Sequence, residues 1–200
     1  MRLRCRKVGV GVMLLPGYDL DKAAQVVAFF AMKEGGSINV LKVSKLIYLA
    51  EREAMRRYDE PMFYDRLASM PDGPVASVTL NFINGNIADT RWNKSIAPRS
   101  GYDIPLARKN MSVDDLDHLS PADLDVLESL WMRFGSFSQF QIRDWTHVPE
   151  NVPEWQDPEG SSRPISHAAV FEYLGKDAAD DLDSDIGEYR KLQRVLGASS

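Results

Sequence analysis

Soon after Asp19, apolar residues recur at helical spacing. Leu20, Ala23, Ala24, Val27 and Ala31 line one face, and Asp19 stands where an N-cap carboxylate would close the first turn. Gly35 and Gly36 end that helix. A longer pattern follows, with Asn39 as N-cap and Val43, Leu46, Ile47, Ala50 and Ala54 as its buried stripe. Arg52, Arg56 and Arg57 fall late on it, where cations suit the helix dipole, and it should end near Tyr58. Residues 62–70 are aromatic and apolar without helical period and predict a short strand. Pro71, Asp72, Gly73 and Pro74 then predict a rigid loop, because proline presets φ and glycine admits positive φ. Residues 75–83 predict a helix broken by Asn84, Gly85 and Asn86, and residues 92–109 a loop with one short strand.

The second half is punctuated more clearly. Ser120, Pro121 and Asp123 form an N-cap, an N1 proline and an acidic third position, and Leu124, Leu127, Trp131 and Phe134 then repeat at helical spacing up to Gly135. Ser138 caps a further helix carrying Phe140 and Trp145 to His147, after which Pro149, Pro153 and Pro158 impose an extended connection. Residues 166–174 and 177–196 predict two more helices. The pattern adds up to a mainly α fold, α+β with a small β element. It divides into a flexible N-terminal arm over residues 1–18, a helical domain over 19–158, and a helical extension over 159–200 packed on or beside that domain.

Composition changes this picture in three ways. With 44% hydrophobic and 26% charged residues over 200 positions, the chain has the make-up of a folded globular protein. A formal net charge of -5 disfavours non-specific binding to nucleic acid. One cysteine, Cys5, can form neither an intramolecular disulfide nor a cysteine-based zinc site, which favours a cytoplasmic setting. Arg2, Arg4, Arg6 and Lys7 before the apolar residues 8–15 imitate the start of a secretion signal. That run is short and broken by glycine, so a mobile arm, or a start nearer Met13, is expected instead. No stretch reaches the 18 or more apolar residues of a membrane span.

The search for chemistry finds none of the usual arrangements. His118, His147 and His167 lack the spacing of zinc ligands, and no nucleophile elbow, Walker loop or dinucleotide turn is present. Gly9 and Gly11 form only an isolated G-x-G, and Cys5 lacks a fixed base. These readings favour a non-enzymatic protein without cofactor or metal. Two alternatives are a hydrolase-like enzyme with a cleft around His147 and an acidic DNA-associated regulator. Asp72, Gly73, Pro74 and Val75 are candidates for a rigid surface loop that meets a partner. Trp92, in a polar stretch with Arg91 and Lys94, is the candidate exposed anchor. His147 is expected to act as a hydrogen-bonding post between segments. Lys45 should snorkel over apolar neighbours, and Tyr48 should bury its ring with a satisfied hydroxyl. The charge run over residues 177–188 is expected to be a solvated helix face.

The run Ile38, Asn39, Val40, Leu41, Lys42, Val43, Ser44, Lys45, Leu46, Ile47, Tyr48, Leu49, Ala50 resembles the "I-T-N-L-K-L-Q-K-L-L-Y-F-A" motif of the Panacea domain. That family comprises SocA-like antitoxins and phage-associated GepA-like proteins. Tyr58 with Pro61, Met62 and Phe63 resembles its "Y-G-x-P-L-F". Residues 68–77 resemble "A-M-x-x-G-P-V-x-S", and Ser138, Thr146, His147 and Trp155 resemble its closing segment. The similarity runs from about residue 20 to residue 155. Ser44 stands where glutamine is usual, Asp59 where glycine is common, and the interval from His147 to Trp155 is long. The resemblance implies an antitoxin that binds and neutralises a cognate protein toxin in a bacterium or its phage. It also implies, from the SocA-type member, a proteolytic adaptor that hands the toxin to the ClpX unfoldase of a ClpXP-type protease. Lys45, Tyr48, His147 and Trp155 would then be structural residues of the motif.

Overall fold

The structure is a computed structural model and describes residues 14–197. Cys5, Gly9, Gly11, Met13 and the basic start of the chain lie outside the described residues, and so does most of the expected arm. The part of that arm that is described, residues 14–18, packs down: Leu14 and Leu15 lie against the core and Tyr18 is buried.

Helix α1 (Leu20–Lys33) starts on Asp19, whose carboxylate accepts the Lys22 amide at 2.9 Å. A short strand β1 (Ser37–Asn39) leads into α2 (Val40–Tyr58), where the Asn39 side chain accepts the Leu41 amide at 2.9 Å. The stripe expected on α2 was one-sided. Instead every residue from Lys42 to Glu51 is buried, because α2 is the central helix, packed by α1 and by other elements on several sides. Asp59 ends it in the left-handed conformation (φ 63°), which explains why glycine suits this position.

Strands β2 (Leu67–Met70) and β3 (Gly73–Ala76) form a hairpin, pairing Met70 with Gly73 and Leu67 with Ala76 across the turn Pro71–Asp72. The residues expected as a loop are therefore half strand, since Gly73 (φ +99°) turns the chain straight back into the ladder. Pro74 lies on an edge strand, where a missing amide costs no ladder bond. Helix α3 (Ser77–Ile83) follows. Strand β4 (Asp103–Pro105) then pairs antiparallel with β1.

Helices α4 (Pro121–Phe134) and α5 (Gln139–Thr146) begin with capping boxes, Ser120 with Asp123 and Ser138 with Gln141. Strand β5 (Arg163–Ile165) joins the outer edge of β2, and α6 (His167–Tyr173) and α7 (Ala179–Gly197) pack on each other. Val170, Phe171 and Ile186 enter the same core as Phe29, Phe30, Phe63 and Phe134. Each such side chain contributes about 1.5–3 kcal/mol by leaving water. Among the described residues, seven α-helices with two small antiparallel sheets make a mainly α fold with a small β element. No helix among the described residues is long and apolar enough to cross a membrane.

Candidate partner-binding groove

Three side chains from three elements hold the tip of the β2–β3 hairpin by its main-chain carbonyls. Lys45, from the middle of α2, reaches the Pro74 oxygen at 3.0 Å. His147, at the end of α5, places Nε2 3.1 Å from the Pro71 oxygen and Nδ1 2.7 Å from the Arg143 oxygen. Trp155 donates its indole N–H to the Met70 oxygen at 3.1 Å, and its ring meets His147 edge to face at 4.3 Å between centroids. The residues that carry the sequence motif thus converge on one object.

The closeness of that clamp shows at Gly73. A Cβ there would stand 2.9 Å from Thr146 Oγ1, 3.1 Å from Lys45 Nζ and 3.2 Å from His147 Cε1. Lys45 does not snorkel: it is fully buried, and among the described residues its one hydrogen-bond partner is the Pro74 carbonyl. Burial holds its ammonium down at about 7, against the opposing pull of the Asp72 carboxylate and with a smaller push from Arg143.

Trp155 is set by a second buried anchor. The Tyr48 hydroxyl donates to Glu154 Oε1 at 2.6 Å, and Arg52 Nε donates to the same oxygen at 2.6 Å. Burial first, and then the Glu154 charge, push the Tyr48 hydroxyl well above its ordinary range. Helix α3 is placed by a third network. Ala76 at its N-cap has no side-chain oxygen, and Asp65 supplies one from the preceding segment, accepting the Val78 and Thr79 amides at 2.8 Å and the Thr79 hydroxyl at 2.6 Å. With that proton committed, the Tyr18 hydroxyl donates to Thr79 Oγ1 at 2.9 Å. Glu51, fully buried, accepts the Asp65 and Phe63 amides. Burial outweighs both donors and raises its carboxyl to about 8.

These supports border an open groove of about 590 Å³. Its floor and walls come from the start of α2 (Val40, Leu41), the hairpin (Met70, Val75), α3 (Leu80) and the start of α5 (Phe140), with Tyr102 across from them. Tyr102 is 73% exposed and Phe140 54% exposed. Asp72 stands on the rim, where a shallower depression with Arg143, Asp144 and His147 begins. The groove's size falls within the range of about 300–1,000 Å³ found for ligand sites. It lacks convergent catalytic groups, since both His147 ring nitrogens face main-chain oxygens and Lys45 lies beneath the surface. Among the described residues no group of three or more His, Cys, Asp or Glu could hold a metal ion.

The residues singled out from the sequence divide accordingly. Asp72 is exposed at the turn, whereas Gly73, Pro74 and Val75 are buried, and of those three only Val75 borders the groove. Trp92 is a correction. It is 5% exposed and stacks on Phe82 at 5.2 Å, because the polar stretch around it folds as a 3-10 turn that points the indole inward. The exposed aromatics at the groove are Tyr102 and Phe140, and Tyr58 and Tyr173 are exposed elsewhere among the described residues. Sequence reading also passed over Glu154, Asp65 and Glu51. Only Glu51 left a signal, a carboxylate four residues after Ile47 and three before Ala54, within the apolar stripe.

The family model described as antitoxin SocA-like, Panacea domain, matches residues 43–156, more than half of the chain. That span holds Lys45, Tyr48, His147 and Trp155. No curated protein and no solved structure matches the chain.

Proposed function

Since the chain belongs to the family of SocA-like antitoxins built on the Panacea domain, we propose that it binds and neutralises a cognate protein toxin through the groove between α2, α3, α5 and the β2–β3 tip. The observation that carries this reading is an open, apolar, rigidly backed groove flanked by two exposed aromatic side chains, Tyr102 and Phe140. Aromatic residues dominate binding hot spots, and here they border a concavity whose hairpin carbonyls are held from behind by Lys45, His147 and Trp155. Inhibition is stoichiometric, needs no cofactor or turnover, and takes place in the bacterial cytoplasm, in a host or phage setting. Delivery of the bound toxin to a ClpX-type unfoldase is a second step of the same reading.

Two other readings have less support. A hydrolase built on His147 needs a free ring nitrogen beside a substrate, and both nitrogens already face carbonyl oxygens. A DNA-associated regulator needs a basic face. The cations late on α2 are instead paired, Arg56 with Glu53 and Arg57 with Glu53 and Asp125.

Co-expression with the protein encoded beside it tests the proposal. Growth rescue and co-purification at one-to-one stoichiometry are expected, both lost in Phe140→Glu and Leu80→Glu variants that keep the native circular dichroism spectrum. Rescue that survives both variants would remove the groove from the interface. Toxin levels with and without ClpX then separate delivery from blocking alone.

A further inference from the structure

Along the start of α2 and the hairpin, the walls of the groove offer a partner side chains and little free backbone. The Val40 amide is bonded to the Tyr102 oxygen at 2.8 Å and the Leu41 amide to Asn39. The Met70, Pro71 and Pro74 oxygens are taken by Trp155, His147 and Lys45, and Pro74 has no amide to offer. The outer edge of β3 is closed at Pro74, which has no amide and whose oxygen Lys45 already holds, so an extended segment laid beside it would leave buried main-chain groups unsatisfied at a cost of about 1–3 kcal/mol each. A helix satisfies its own backbone and presents only side chains.

Charge narrows the partner further. Arg143 at the rim is paired with Asp144, and Arg99 is bonded to Gly101 and Asn84. Asp72 is exposed and has neither an ion pair nor a hydrogen bond, and the chain as a whole carries a net charge of -5. Two charges border the groove: Arg99, held by two neutral oxygens at one end, and Asp72 at the hairpin tip, whose carboxylate faces solvent and has only the buried Lys45 ammonium nearby to balance it.

We propose that the occupant of this groove is an amphipathic α-helix of the partner, with an apolar face seated among Leu41, Val75, Leu80 and Phe140 and a lysine or arginine paired with Asp72. The inference deepens the toxin-binding reading and names the chemistry of the docked segment.

The test uses the full chain as bait against two phage-displayed libraries, one of single helices on a fixed helical scaffold and one of unstructured linear 12-mers. Binders are counted as groove-dependent when Leu80→Glu, checked for native circular dichroism, abolishes capture. The expected result is groove-dependent binders from the helical library only, with apolar residues at i, i+3 or i+4 and i+7 and a nearby Lys or Arg. Asp72→Asn should weaken them about fivefold. Asp72→Lys should shift selection toward Asp or Glu at the basic position. Groove-dependent binders that are linear, binders indifferent to residue 72, or no groove-dependent binder at all would each overturn the helix assignment. Co-purification with the neighbouring toxin reads the family function separately, so either idea can fail alone.

Discussion

The Lys45 ammonium nitrogen lies 3.0 Å from the Pro74 carbonyl oxygen, with the lysine entirely out of solvent, and this contact ties the central helix to the tip of the hairpin. A buried amine with a single acceptor is costly when charged. Its proximity to Asp72 offsets part of that cost, and its long stem spans from α2 to the turn, a distance that a shorter polar side chain would not cover.

The pH dependence of stability should report this lysine. Unfolded, it keeps its proton up to its ordinary value of 10.5, and folded it releases the proton near 7. Between those values the unfolded chain binds the extra proton, so stability rises with pH, by about 1.4 kcal/mol per pH unit for one such group. Urea unfolding at pH 8.5 and 9.5 should show that rise in the native chain and its absence in Lys45→Met. Equal slopes in the two proteins would assign the titration elsewhere.

Glu51 has the opposite sign. Its folded carboxyl is raised to about 8 from an ordinary 4.5, so the folded state holds a proton that the unfolded state has lost, and stability falls as pH rises through that window. His167, buried and lowered to about 4 from 6.5, works against it, adding stability as pH rises from 4 to 6.5. Their overlap makes the bare profile of the native chain hard to read. The difference between Glu51→Gln and the native chain isolates the carboxyl: it should grow in favour of the variant from pH 4.5 to 8 and then level off. A constant difference would mean that Glu51 titrates normally.

Trp92 and Phe140 should exchange the roles that their sequence settings suggest. Trp92→Ala is expected to cost about 3–5 kcal/mol of stability, the loss typical of an emptied aromatic core position. Phe140→Ala should change stability by less than about 0.5 kcal/mol and weaken toxin binding by tenfold or more. Thermal melts and a calorimetric titration on both variants decide this, and an unaffected melting temperature for Trp92→Ala would contradict its stacking on Phe82.

Gly73→Ala should be worse than Gly85→Ala, although both glycines have positive φ, +99° and +72°. Nothing lies within 4 Å of a Cβ at Gly85, so only backbone strain of about 1 kcal/mol is expected there. At Gly73 the methyl group presses on Thr146, Lys45 and His147, which adds about 1–3 kcal/mol of overpacking. Equal losses in chemical denaturation would show that the clamp yields without cost.

Much of the helical frame was legible because its caps are local. Asp19, Asn39, Ser120 and Ser138 each bond an amide two or three residues ahead, and such spacing survives in sequence. The capping of α3 was not legible, since Asp65 reaches it from thirteen residues away across a hairpin. The groove was half legible. Asp72 stood out by turn chemistry, but Tyr102 and Phe140 become neighbours of the hairpin only when β4 pairs with β1 and α5 packs on α2. The short strands β1 and β5 carry three residues each, too few for any period to show.

His147 and Trp155 should act as one unit. Each bonds a different carbonyl of the same turn, Pro71 and Met70, while their rings touch, so either residue alone holds the tip only in part. His147→Ala and Trp155→Phe are each expected to cost about 1–3 kcal/mol. The double variant should cost less than the sum, by about 0.5–1.5 kcal/mol, because the first substitution already frees the turn that the second would release. Binding should follow the same rule, since Asp72 is presented to the partner only while the tip is held. Strict additivity in both melting and toxin affinity would mean that the two residues support separate structures, and the hairpin tip would have to be fixed by Lys45 alone.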